Sequence, residues 1–142
     1  MISQVTIDPR YSIGVSEMDR EHAHWIALID KFRATTTGHL SDSVGINAAR
    51  QALQQLLDYT KTHFASEERL LKACKYPALA EHQLKHRELT AAVVRLTEEI
   101  SQHKTDTTPL KLNLLVTVWL LEHIMAEDRK YAQHIIAYRA SA

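Results

Sequence analysis

Residues 57–86 read LDYTKTHFASEERLLKACKYPALAEHQLKH, and this stretch carries two pairs of polar residues spaced four apart. His63 precedes Glu67 in the first pair, and His82 precedes His86 in the second. Because an α-helix turns by about 100° per residue, the members of each pair lie on one helical face. The single proline of the stretch falls between the pairs, where one helix must end and another can begin. The stretch therefore predicts two consecutive helices, each with a polar pair on one face.

The surrounding apolar pattern decides which way the two pairs face. Residues before the first pair step by three and four toward it: Ala49, Leu53, Leu56 and Thr60. Residues around the second pair follow the same step: Leu79, Leu89, Val93, Leu96 and Ile100. The imidazoles and the carboxylate therefore lie within the stripes that should face a core. Burying several such groups without partners is costly, whereas a metal ion would satisfy them together, so the pattern indicates metal ligands.

The composition excludes several classes of protein. A chain of 142 residues suffices for one domain with a sizeable core, and we expect a single domain over residues 1–142. Its 17 basic and 17 acidic residues balance, which does not point to nucleic acid or an anionic membrane surface. The lone Cys74 excludes an intrachain disulfide and suits a reducing compartment. Because spanning runs and the order of a signal peptide are both lacking, we expect a cytoplasmic protein without membrane insertion.

The remainder of the chain predicts two further helices around this central pair. Ser16 is a plausible N-cap for the first helix, and Pro109 suits the first turn of the last one. We expect an irregular arm followed by four helices, with approximate bounds 1–15 for the arm and 17–37, 46–74, 77–102 and 109–138 for the helices. Four amphipathic helices with short connections predict an all-α fold, an up-down-up-down antiparallel four-helix bundle with an N-terminal irregular arm.

Each predicted helix contributes polar side chains to the interior of this bundle. The set comprises His22 from the first helix, His63 and Glu67 from the second, His82 and His86 from the third, and His123 and Asp128 from the fourth. Any one of these histidines alone is explained equally well as an ordinary core or surface residue. Five histidines on four core stripes, together with two carboxylates, favour a metal site. They are too many for one tetrahedral zinc and suit two metal ions bridged by the carboxylates, with a ligand set compatible with iron.

The odd number of histidines implies an asymmetric pair of metal ions. If both carboxylates and a solvent oxygen bridge, three histidines complete six ligands at one metal. The other two leave five ligands and a vacancy at the second metal, which is what a small diatomic ligand needs. His123 and Asp128 are five residues apart, about 140° on a regular α-helix, so both cannot point inward there. We therefore predict a π-type turn near residues 123–128, because such bulges occur often at functional sites.

Taken together, these motifs resemble those of the hemerythrins, and among them the single-domain bacterial hemerythrins. The resemblance lies in YSIGVSEMDREH at 11–22, HFASEE at 63–68, YPALAEHQLKH at 76–86 and WLLEHIMAEDRKY at 119–131. The family pattern of His, HxxxE, HxxxH and HxxxxD is complete in this chain. As a set this pattern is specific, whereas HxxxH or HxxxE alone would be a weak signal.

The resemblance implies reversible dioxygen binding at a non-haem di-iron centre, for oxygen storage, delivery or buffering, and not catalysis. Two Fe ions would be bridged by Glu67, Asp128 and an oxo or hydroxo group. The filled iron would be held by His82, His86 and His123. The open iron would be held by His22 and His63. Other small ligands, such as nitric oxide or azide, would compete with dioxygen for the open position.

Five further residues are expected around the site. Phe64 and Trp119 would belong to an apolar shell, although simple core packing explains them equally well. Trp25 stands where the family usually has an aliphatic residue, and Ala126 where a larger aliphatic residue is common, so we expect the indole to fill the space that the alanine leaves. Tyr131, about one turn after the last predicted ligand, is expected to hydrogen-bond near the site or to a backbone group.

Two other functions remain open at this point. The chain could be an oxygen-sensing or redox-sensing module, since similar domains occur attached to regulatory modules. It could also be a di-iron oxidase or peroxidase. That class is expected to carry more carboxylate ligands, usually as a pair of ExxH motifs, and the sequence has no such pair.

Overall fold

The computed structural model describes residues 7–36, 43–102 and 117–142, and its ordered elements are all helical. The helices are α1, Ser16–Thr36; α2, Ser43–Ala73; α3, Leu79–Ser101; and α4, described over 117–140. Helix α2 packs against both α1 and α3, and side chains of α4 meet those of α1 and α3 in the interior. The predicted all-α, up-down-up-down four-helix bundle is confirmed, and the three described ranges contain no strand.

Helix α4 has an interruption in its middle. It is α-helical over 117–122, π-helical over His123–Asp128, and α-helical again over Arg129–Ala140. The predicted π-type turn is therefore confirmed. Because a π turn holds one more residue than an α turn, it brings residues five apart onto the same side of the helix. Both His123 and Asp128 are buried as a result.

Some helix bounds differ from those expected. Helix α2 begins at Ser43, three residues before the predicted 46, so residues 43–45 are helical and do not belong to a loop. Helix α3 begins at Leu79 and not at 77, because the amide of Leu79 bonds back to the Tyr76 carbonyl at 3.3 Å in a turn. The predicted loop at 38–42 and the predicted helix start at 109 lie outside the described residues.

The turn between α2 and α3 is a Schellman motif. The amide of Tyr76 donates to the Leu71 carbonyl at 2.9 Å, and the amide of Lys75 donates to the Lys72 carbonyl at 3.1 Å. Lys75 occupies the left-handed position, with φ of 54°, that usually falls to glycine. This turn fixes how α3 leaves α2, and therefore how the two helices that carry four of the predicted ligands face each other.

The N-terminal arm is irregular over its described part, residues 7–15. Asp19 holds it to α1, accepting hydrogen bonds from the Ser12 hydroxyl at 2.6 Å and the Ile13 amide at 2.8 Å. Helix α1 begins at Ser16, one residue before the expected 17, so Ser16 is the first helical residue and not an N-cap that precedes the helix. The Asp19 carboxylate thus ties the arm to the first turn of α1, and Arg129 of α4 also donates to the Arg10 carbonyl.

Most residues of the predicted stripes are buried, whereas Leu79 and Leu89 are half-buried. The largest fully buried apolar side chains are Trp25, Tyr131, Phe32, Met18, Ile29, Leu53, Leu56, Leu71, Leu120, Ile124 and Ile135. They surround the polar cluster described below, so its groups sit in a dry environment with interior packing. Among the described residues, no helix is long and apolar enough to cross a lipid bilayer.

The left-handed residue of the Schellman turn gives a stability prediction. Replacing Lys75 with glycine should raise the free energy of unfolding by about 0.5–1 kcal/mol, because the strain of an L-residue there exceeds the entropy cost of glycine. Lys72→Gly, three residues earlier and inside α2, should instead lower it by up to about 1 kcal/mol. Urea denaturation of both variants measures the difference. A loss of stability in Lys75→Gly would contradict this account of the turn.

Candidate metal centre

All seven predicted ligands lie in the core of the bundle. Their exposed fractions run from 0% to 4%, and the set is His22, His63, Glu67, His82, His86, His123 and Asp128. Every helix contributes at least one of them, as the sequence predicted. Charged and imidazole groups are rarely buried to this degree unless they are paired or bind a metal.

These side chains form two groups that share both carboxylates. The three-histidine group contains His82, His86 and His123 with Glu67 and Asp128. The two-histidine group contains the remaining histidines, from α1 and α2, with the same two carboxylates. Within each group, one candidate ligand atom per residue lies within 4.8 Å of all the others. The geometry therefore offers two adjacent metal positions of unequal histidine number.

Glu67 divides its two oxygens between the groups. Its Oε1 lies 2.6 Å from His82 Nε2 and 3.0 Å from His86 Nε2. Its Oε2 lies 3.3 Å from His63 Nε2 and 3.5 Å from His22 Nε2. One oxygen thus faces the three-histidine group and the other faces the two-histidine group, which is the arrangement of a bridging carboxylate.

Asp128 divides its oxygens in the same way. Its Oδ1 lies 3.1 Å from His123 Nε2 and 3.3 Å from His82 Nε2. Its Oδ2 lies 3.0 Å from His22 Nε2. The π turn is what makes this possible, since it directs Asp128 inward on the same side of α4 as His123.

Several buried atoms of the cluster are left without hydrogen bonds. Among the described residues, no partner with suitable geometry is found for Nδ1 and Nε2 of His22, Nε2 of His63, or either oxygen of Asp128. The 3.0 Å approach of His22 to Asp128 brings the atoms close without the alignment of a hydrogen bond. Buried unsatisfied groups are costly and rare. Imidazole nitrogens and carboxylate oxygens converging in this way fit a metal ion such as iron.

The electrostatics of the metal-free cluster show the same need for a cation. Burial lowers the pKa of His22, but the adjacent carboxylates of Asp128 and Glu67 outweigh it and raise the pKa to about 9. Burial also lowers the pKa of His82, but the same two carboxylates outweigh this effect and raise the pKa of His82 to about 9. Burial raises the pKa of Glu67, yet contacts with the imidazoles hold it well below its usual value. Protons therefore supply the positive charge when no metal is bound.

Two imidazoles are held from outside by carboxylates. His63 Nδ1 donates to Glu21 at 2.9 Å, and His86 Nδ1 donates to Glu68 at 3.0 Å. A proton on Nδ1 leaves the Nε2 lone pair free to face the interior. Spacing along single helices does not reveal Glu21 or Glu68, because each meets its histidine across an interface between two helices. The Ser66 hydroxyl, one turn after His63, also donates to Glu21, at 2.8 Å.

Tyr131 is fully buried and hydrogen-bonds to Glu67. Its hydroxyl donates to Glu67 Oε2 at 2.8 Å, so the expected hydrogen bond near the site is present and goes to a side chain. Burial, together with the negative charges of Glu67 and Asp128, raises the pKa of the Tyr131 phenol far above its ordinary value. The phenol therefore stays protonated and acts as a fixed donor.

Two aromatic rings pack against the cluster, Trp25 beside His63 and Phe64 beside His86. Phe64 stacks on the His86 ring, with centroids 3.7 Å apart and planes inclined by 4°. Trp25 lies with its ring centre 5.0 Å from that of His63 and 5.4 Å from that of Phe64. The indole N–H donates to the Thr60 hydroxyl at 2.9 Å, which fixes the ring. Both Trp25 and Phe64 are buried, as expected of an apolar wall.

The remaining two predicted pocket residues lie on the outer side of His123, which lines the same cleft. Trp119 is half-buried and Ala126 is exposed, and both line a surface cleft of about 390 Å³ between α3 and α4. The expected volume compensation between Trp25 and Ala126 is therefore wrong, because an exposed alanine leaves no internal space to fill. The cause is the π turn, whose extra residue rotates Ala126 away from the face of His123.

Comparison with known proteins agrees with this geometry. The family described as Hemerythrin HHE cation binding domain matches residues 13–135. A bacteriohemerythrin from Stenotrophomonas maltophilia is 27% identical over 129 residues, covering 89% of this chain and 78% of that protein. Another bacteriohemerythrin, from Clostridium acetobutylicum, is 23% identical over 122 residues, covering 85% of this chain and 93% of that protein. Myohemerythrin-1 from Phascolopsis gouldii is 32% identical over 79 residues, covering 56% and 60% of the two chains.

Solved structures show the same fold. The crystal structure of a wild-type hemerythrin aligns with a TM-score of 0.73 at 22% identity, covering 85% of this chain and 88% of that chain. A variant hemerythrin aligns over the same shares with a TM-score of 0.74 at 21% identity. At these identities the likeness concerns the arrangement of the helices.

The hydrogen bond from Tyr131 to Glu67 gives a testable stability effect. Tyr131→Phe should lower the free energy of unfolding of the metal-free protein by about 1–3 kcal/mol, because a buried carboxylate oxygen loses its donor. Tyr138→Phe, at a half-buried position on the same helix, should change it by less than about 0.5 kcal/mol. Denaturant unfolding of both variants at pH 7 measures the effect. Equal losses of stability in the two variants would show that the buried hydrogen bond from Tyr131 stabilises the fold no more than the hydroxyl of Tyr138 does.

Proposed function

This chain belongs to the hemerythrin HHE cation-binding family, and on that premise we propose that it binds dioxygen reversibly at a non-haem di-iron centre. The residues that would hold the iron are His22, His63, Glu67, His82, His86, His123 and Asp128. We further propose that residues 1–142 act as one domain for oxygen storage, delivery or buffering in the cytoplasm.

One observation supports this proposal above the others. Glu67 and Asp128 each direct one oxygen to a group with three histidines and one oxygen to a group with two. Protein side chains therefore offer five ligands to one metal position and four to the other. With an oxo or hydroxo bridge, the first position would be full at six ligands and the second would keep one place open. Two ferrous ions held this way would supply reversible binding of a small ligand such as dioxygen.

The surrounding residues favour binding over catalysis. Tyr131, whose hydroxyl reaches the cluster, has a pKa raised far above its ordinary value by burial and nearby charge, so it is a poor proton donor in a reaction. The buried Trp25 packs against His63 of the two-histidine group, and the buried Phe64 stacks on His86 of the three-histidine group. A dry, apolar wall limits the escape of charged oxygen species and the entry of protons. These features support a carrier whose ligand leaves unchanged.

The proposed function is tested by iron content and absorption together. Protein purified in air after iron loading should contain two iron atoms per chain and show near-ultraviolet bands that bleach on deoxygenation and return on re-aeration. Substitution of His22 by alanine should abolish the reversible change, because the two-histidine position loses half of its imidazoles. A single bound zinc, or bands lost irreversibly while a reductant is consumed, would contradict the proposal.

Metal binding should also depend on pH in a defined direction. His22 and His82 have pKa values raised to about 9 by the carboxylates in the metal-free protein, so both must release a proton before Nε2 can bind a metal. Affinity for Co²⁺ should therefore increase from pH 6.5 to 9. Over the same window the metal-free protein should lose stability, because a folded pKa above the unfolded value stabilises only while the group is protonated.

Calorimetric titrations with Co²⁺ in buffers of different ionisation enthalpy measure the released protons, and thermal melting of the metal-free protein measures its stability. An affinity that does not change between pH 6.5 and 9 would contradict the protonated state of the empty cluster.

A further inference from the structure

We propose that Glu21 and Glu68 are positioning residues, one for each metal position, and that they act with unequal strength. This inference rests on the proposed metal pair. Glu21 accepts a hydrogen bond from His63, which belongs to the two-histidine group, and Glu68 accepts one from His86, which belongs to the three-histidine group. Among the described residues, the other three imidazoles of the cluster have no such carboxylate on their outward nitrogens.

Glu21 is held at several points. Its Oε1 accepts from His63 at 2.9 Å, and its Oε2 accepts from the Ser66 hydroxyl at 2.8 Å. The Tyr59 hydroxyl donates to the Glu21 backbone carbonyl at 3.1 Å, which fixes α1 against α2 at the same level. These contacts leave the carboxylate little freedom to move away from His63.

Glu68 is held less firmly. Its side chain accepts a hydrogen bond from His86 at 3.0 Å, and no second donor to it is found among the described residues. It lies in an open cleft of about 660 Å³ between α2 and α3, together with the exposed cations Lys61, Arg87 and Arg95. The Glu21 and Glu68 side chains are equally exposed, at 27% each, so the difference between them lies in the second donor, Ser66, that Glu21 has and Glu68 lacks among the described residues.

The two contacts have the same physical effect on the imidazoles. A carboxylate that accepts the Nδ1 proton fixes the ring in the tautomer whose Nε2 faces inward, fixes its orientation and makes it a stronger electron donor. Outer partners of this kind contribute about 10–100-fold to metal affinity. Because Glu21 is the better-held carboxylate, its loss should weaken its metal position more than the loss of Glu68 weakens the other.

The test uses Co²⁺ titrations of the whole chain, followed by the ligand-field spectrum. Glu21→Ala should weaken one of the two Co²⁺ equivalents by about 10–100-fold and leave the other within about threefold. Glu68→Ala should weaken the other equivalent by a smaller factor, near the lower end of that range. Glu21→Gln and Glu68→Gln, which keep a neutral acceptor for Nδ1–H, should recover most of each loss. Glu88→Gln, an exposed carboxylate on α3 two residues from His86, is the control and should change neither equivalent.

Double variants separate positioning from a general effect on the fold. The Glu21→Ala loss should disappear when His63 is already alanine and persist when His86 is alanine. An undiminished Glu21→Ala effect in the His63→Ala protein, or equal weakening of both equivalents, would overturn the inference. If these Co²⁺ results are obtained but the iron-loaded wild-type chain does not bind dioxygen, only the proposed function is contradicted. Failure of the wild-type chain to bind two Co²⁺ ions would contradict both.

Discussion

The sharing of two buried carboxylates between unequal groups of histidines is the constraint on which the rest of this structure depends. Glu67 and Asp128 can face both groups only if α2 and α4 present them at the same level of the bundle. Two irregular features of the backbone help to bring the seven side chains together. The Schellman turn sets the course of α3 relative to α2, and the π turn brings Asp128 inward beside His123. Both are departures from regular helix at points where regular helix would misplace a ligand.

Keeping this cluster in the core has an energetic cost. Removing a carboxylate from water costs several kcal/mol even after relaxation, which is a large share of the 5–15 kcal/mol by which domains are typically stable. In the metal-free chain, part of this cost is offset because the pKa values of His22 and His82 are raised, so that both imidazoles are protonated and neutralise the carboxylates. Hydrogen bonds from Tyr131 to Glu67 and from the outer imidazole nitrogens to Glu21 and Glu68 meet another part. The buried cluster therefore lowers the stability of the metal-free chain.

Sequence reasoning reached the bundle and the seven inward side chains because both follow from spacing along single helices. The five-residue step from His123 to Asp128 even predicted the π turn. What it missed depends on how neighbouring helices approach and rotate, which no single-helix period encodes. Glu21 reaches His63 across the α1–α2 interface. The interior position expected of Ala126 rests on the resemblance to the family and not on spacing, and the π turn places this residue at the surface.

The central claim is tested most directly by a crystal structure of the iron-loaded chain with anomalous data at the iron edge. The account predicts two iron peaks of similar height inside the bundle, with Glu67 and Asp128 each giving one oxygen to each iron. Three histidines should bind one iron and two the other, and the open position should lie at the latter. A single peak, or an iron pair in which Asp128 or His22 is not a ligand, would contradict it.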